Sequence, residues 1–101
     1  MPYLKIQSNV VIAETKKRQF LLRASQLLAA ELGKPERYMM TAFEPVAAMT
    51  FAGSLDPAAF LEVKSIGLPT GKTAALSQAL CGLVQTELGV SPDRVYIEFA
   101  D

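Results

Sequence analysis

The residue best suited to chemistry is Pro2. Inside a chain a proline nitrogen carries no hydrogen, but a proline exposed by removal of Met1 is a secondary amine that takes up and releases a proton. Methionine excision is favoured when the second residue is small, and proline meets that condition. Such an amine starts near the ordinary α-amino pKa of about 7.7–8.0, and burial in apolar surroundings or a neighbouring cation lowers it. Lys34 is a candidate for that cation. A base poised below neutrality is free at working pH and still strong enough to draw a proton from carbon beside a carbonyl. A Met-Pro start taken alone marks only the beginning of a chain.

The rest of the composition narrows the alternatives. There is no histidine, which removes the commonest general base and metal ligand and all Ser–His or Cys–His chemistry. The single Cys81 excludes an intramolecular disulfide and suits a reducing compartment. The segment "GLPTGKT" (67–73) imitates a phosphate-binding loop but places only Leu68, Pro69 and Thr70 between its glycines, one residue too few for the backbone to wrap a phosphate, and Pro69 removes a further N–H. It reads instead as a loop and helix start capped by Thr70 or Thr73, with a weak anion site at that helix end as the alternative.

The elements that position these residues follow from pattern. The chain has 101 residues, half of them hydrophobic, enough for one domain over 1–101 with a modest core. Ten basic residues balance ten acidic ones, so nothing steers it toward nucleic acid or an anionic membrane. No apolar run reaches spanning length, and the start lacks the order of a signal peptide. Two stretches repeat: "ELGKPERYMMTAFE" (31–44) and "ELGVSPDRVYIEFA" (87–100). Before each runs an amphipathic helix, Phe20, Leu21, Ala24, Leu27, Leu28 and Leu32 in the first and Leu76, Ala79, Leu80, Leu83, Val84 and Leu88 in the second. Gly33 and Gly89 stand where a helix end requires a left-handed residue. Short strands precede the helices, near 3–7 and 59–66. The expected fold is α+β, two β-α-β repeats building a four-stranded mixed sheet with both helices on one face. "VAAMTFAG" (46–53) is expected to be an extra strand joining the halves. The uncovered sheet face, with apolar residues on both sides of its strands, points to self-association.

Taken together, "MPYLKIQSNV", "ELGKPERYM", "FAGS", "KSIG" and "LCGLVQTELGVSPDRVYI" resemble the macrophage migration inhibitory factor family of the tautomerase superfamily, in order and across the whole chain. The resemblance implies a homotrimer with no cofactor. It also implies a phenylpyruvate-type keto–enol tautomerase, an isomerase of aryl 2-keto acids. By the same resemblance Pro2 is the catalytic acid/base, and Lys34 binds the substrate carboxylate. Ile66 anchors the substrate through its backbone N–H. Tyr38 lines the pocket, and Tyr96 enters it from the adjacent subunit. Glu98 stands where the best-known members carry an asparagine; a carboxylate near the substrate's own, or near Pro2, implies low or altered activity unless it pairs with Lys34 or an arginine. The cysteine pair tied to thiol redox chemistry in the family falls on Ala58–Leu61, which has no cysteine, so no redox role is expected. The better-known members run on past the position of Asp101, with a tail that supplies a pocket wall and an inter-subunit strand. The alternative implied function is cytokine-like binding of a protein receptor with a vestigial pocket. The expected location is cytoplasmic, with export that uses no signal peptide.

Overall fold

The structure, a computed structural model, describes residues 2–68 and 70–101. Met1, Pro69 and the side chain of Thr70 lie outside the described residues, and with them the expectations that rest on those groups. The elements run β1 (Tyr3–Ser8), α1 (Glu14–Leu32), β2 (Met40–Pro45), β3 (Ala59–Lys64), α2 (Thr73–Leu88) and β4 (Val95–Ala100). Short 3-10 turns at Glu36–Tyr38, Thr70–Lys72 and Pro92–Arg94 precede β2, α2 and β4.

The four strands form one sheet in the order β2-β1-β3-β4. Each helix carries the chain between two neighbouring parallel strands, β1 to β2 and β3 to β4, while the central pair β1 and β3 is antiparallel. The sheet is therefore mixed, and the two repeats meet at its centre.

Alternation along the strands decides which face is buried. Leu4 and Ile6 of β1 and Leu61 and Val63 of β3 point to the helix side, where they pack with Phe20, Ala24 and Leu28 of α1 and Leu76, Leu80 and Val84 of α2 in a single core. Phe20 meets Phe43 of β2 edge to face, with ring centroids 6.5 Å apart. Both helices end on a left-handed glycine, Gly33 at φ 64° and Gly89 at φ 71°, whose N–H groups return to Ala29 and Gln85 carbonyls. An L side chain at either position would be strained, which is why the Glu-Leu-Gly repeat recurs at both ends.

Among the described residues, the opposite face of the sheet carries no helix. Its middle row reads Ala42, Lys5, Glu62, Glu98 across the four strands. This face is more charged than apolar alternation alone suggested: Lys5 pairs with Glu44 at 3.4 Å and Lys64 with Glu62 at 4.0 Å. Hydrogen bonds from Gln7 and Lys5, with the Lys5 charge, hold the Glu44 carboxyl below its ordinary value.

Two sequence expectations are corrected. Residues 46–53 do not form a strand. Val46 donates to the Ser8 carbonyl at 3.0 Å, and the chain then leaves the sheet. Its one pairing is the reciprocal bond between Phe51 and Ser54, closed by Ala52 at φ 53° and Gly53 at φ 75°. Apolar residues alone do not make a strand where no edge is offered to pair with, and side chains take the nearby carbonyls instead. Thr73 does not cap α2 but is its first residue; the cap position is Lys72, which makes no side-chain capping bond.

Candidate active site

Four chain segments converge at the end of the sheet where β1 begins. The Pro2 carbonyl accepts from the Met40 N–H at 3.1 Å, which fastens Pro2 to the start of β2. One step beyond the last β1–β3 pair, Tyr3↔Lys64, come Pro2 and Ser65. Pro2 is buried. Ser65 is only 2% exposed, because it continues the inward alternation of Leu61 and Val63.

A buried hydroxyl in such a position requires a partner, and Lys34 supplies it. The Gly33 cap turns the chain so that Lys34 follows directly, its N–H bonded to Ala29 O at 3.1 Å. From there the ammonium donates to Ser65 Oγ at 3.0 Å and to the Ile66 carbonyl at 2.8 Å. Those two bonds occupy two of its three N–H donors and leave one for an incoming anion. Ile66 itself points outward, 75% exposed. Its N–H has no hydrogen-bond partner among the described residues, whereas the N–H groups on either side do: Ser65 donates to Ala100 O at 3.0 Å and Gly67 to Asp101 Oδ1 at 2.9 Å.

Tyr38 sits in the 3-10 turn between Lys34 and β2, partly exposed, with the Arg37 guanidinium 4.8 Å above its ring and 3.3 Å from its hydroxyl. The topology thus brings Pro2, Lys34 and Ile66 to one end of the sheet, with Tyr38 on the connection that leads there. It does not bring Tyr96 or Glu98 with them. Tyr96 lies beside Phe60 on the open face, ring centroids 5.7 Å apart. It is four residue steps from Ala100, so it stands about 13 Å down the strand from the Lys34 end. Glu98 faces Glu62 on the same open side, and the Lys34 ammonium goes to Ser65 and Ile66 rather than to Glu98.

Sequence reasoning passed over Ser65, Arg37 and Asp101. Ser65 had a signal, since a polar residue at an inward strand position needs a buried partner. Asp101 had none, because its contact depends on where β4 ends relative to β3. A cavity of about 340 Å³ lies at the opposite end of the sheet, lined by Ser8, Asn9, Ile12, Lys17, Pro45 and Val46 among others, away from the Lys34 cluster. Among the described residues no helix is long and apolar enough to cross a membrane, and no group of His, Cys, Asp and Glu could hold a metal.

The family model for macrophage migration inhibitory factor matches residues 1–101. The chain belongs to the macrophage migration inhibitory factor family. It is 39% identical over 102 residues to the macrophage migration inhibitory factor of Rattus norvegicus, covering all of this chain and 88% of that protein. Among solved structures it resembles the macrophage migration inhibitory factor homologue of Prochlorococcus marinus, with a TM-score of 0.90 at 39% identity over 96% of this chain and 85% of that one. The macrophage migration inhibitory factor of Giardia lamblia gives a TM-score of 0.91 at 31% identity over 99% and 98%. The fold is accordingly that of the tautomerase superfamily, and the function that of a macrophage migration inhibitory factor-like protein.

Proposed function

We propose that the chain, once Met1 is removed, is a keto–enol tautomerase of phenylpyruvate-like 2-keto acids with the Pro2 amine as acid/base. The observation that carries this reading is the Lys34 ammonium held by Ser65 Oγ and Ile66 O at the end of the sheet where Pro2 leads into β1. Its remaining donor is suited to a carboxylate, and a charged contact of that kind is among the stronger hydrogen bonds available. The Ile66 N–H, without a partner among the described residues, lies beside it. Burial of Pro2 and a nearby cation both favour the uncharged amine.

In the enolising direction the neutral amine removes a proton from the carbon between the carbonyl and the aryl ring. The C–H electrons become the new C=C bond, and the carbonyl π electrons move to oxygen, which takes up a proton. Ketonisation reverses each step. Tyr38 would flank the aryl group. Assembly as a homotrimer is part of the proposal, because Tyr96 and Glu98 would then reach the site only from a neighbouring copy.

The test is phenylpyruvate turnover paired with mass spectrometry of the N-terminus. Pro2→Gly, and a form that keeps Met1, should each lose at least about a hundredfold in kcat while remaining folded. Unchanged turnover in either removes Pro2 from the mechanism.

A further inference from the structure

Ile66 is held by its neighbours rather than by its own side chain. That side chain projects to solvent, so core packing does not orient the peptide that follows β3. Polar contacts do so from two directions. Lys34 grips Ser65 Oγ and Ile66 O from one side. The end of β4 grips the other, where Ala100 O accepts the Ser65 N–H at 3.0 Å and Asp101 Oδ1 accepts the Gly67 N–H at 2.9 Å. The first of these continues the sheet ladder. The second is a side-chain contact beyond the ladder, made to a residue whose φ of 71° lies in the left-handed region. Glycine is freer than any other residue to leave that conformation, so an anchor on its N–H matters more there than on a strand residue. The contacts to Ala100 and Asp101 bracket Ile66, whose own N–H has no partner among the described residues.

From this geometry we infer that Asp101 is a positioning residue: its carboxylate pins Gly67 and thereby fixes the direction of the Ile66 N–H and the carbonyl on which Lys34 rests. The inference rests on the reading of Lys34 and Ile66 as the substrate-carboxylate anchor. Asp101 does not touch the reacting atoms. Its loss would misplace an anchor that serves substrate and transition state alike, which raises KM and spares kcat.

The experiment compares Asp101→Ala with Asp101→Asn, whose amide oxygen can accept the same hydrogen bond. Both are assayed with phenylpyruvate in the Met1-processed protein, and amide hydrogen exchange is followed at Gly67. Asp101→Ala should raise KM about tenfold with kcat within about twofold, as expected for loss of one hydrogen bond to a charged group. Its Gly67 amide should exchange faster. Asp101→Asn should stay near the parent in both measurements. An unchanged KM and exchange rate in Asp101→Ala, or an equal loss in both variants, overturns the inference. If Pro2→Gly turns over as well as the parent, or the parent does not turn over at all, the tautomerase reading fails instead, and Gly67 exchange still decides the role of Asp101.

Discussion

Arg94 and Asn9 converge on one peptide oxygen: the Asp56 carbonyl accepts from Arg94 Nη2 at 3.0 Å and from Asn9 Nδ2 at 3.3 Å. Asn9 follows β1 and Arg94 precedes β4, so one residue from each repeat clasps the segment that joins the repeats. Arg94 also donates to the carbonyls of Pro57, Phe51 and Ser54 and lies over the Phe51 ring. Asn9 returns the favour through Oδ1, which accepts the Ala58 N–H at 2.9 Å.

Truncating this clasp should be costly. Arg94→Ala is expected to destabilise the fold by about 2 kcal/mol, the scale of lost hydrogen bonds to a charged group. Arg94→Lys should recover little of it, because a point ammonium cannot span carbonyls that a planar guanidinium fork reaches together. Urea unfolding of the two variants checks both statements; a parent-like midpoint for Arg94→Ala would show that the loop holds without the clasp.

Lys34 should affect binding more than turnover. Lys34→Gln removes the cation while keeping a polar side chain, and the expected result is a ten- to hundredfold rise in KM for phenylpyruvate, on the order of the 1.5–3 kcal/mol of a charged hydrogen bond. Pro2→Gly should instead act on kcat. Steady-state kinetics on the two variants separate the roles, and a Lys34→Gln variant with parent KM would exclude Lys34 from carboxylate binding.

Glu44 should make a small, acid-sensitive contribution to stability. Its folded pKa is lowered by Gln7 and Lys5, so the contribution is fully present above the ordinary carboxylate value and is lost as pH falls through the lowered one. Thermal midpoints measured down the acid range should converge for the parent and Glu44→Gln at low pH and diverge toward neutrality, and added salt should narrow the gap at this exposed pair. Curves that stay parallel at every pH would assign the shift no role in stability.

Much of the fold was legible because its signals are local. Helical spacing, strand alternation and the two Glu-Leu-Gly ends need only a few neighbouring residues each, and together they give two β-α-β units and a mixed sheet. The segment 46–53 was misread for the complementary reason. Its apolar residues look strand-like, but a strand exists only where a partner edge is available, and here Asn9 and Arg94, distant in sequence, take the carbonyls of the surrounding loop.

The candidate site divides along the same line. By itself the sequence determined which groups are chemically able to act: a proline in second position, a lysine just past a helix cap, no histidine and no cysteine pair. Only the tertiary structure decided which of them meet. The antiparallel register of β1 and β3 sets Pro2 across from Ser65, the end of β4 brings Asp101 to Gly67, and the parallel register of β3 and β4 leaves Tyr96 and Glu98 on the open face. A register is the outcome of packing the whole alternating face at once, so a slip of one residue would reverse every side chain; no single residue in the sequence carries that information.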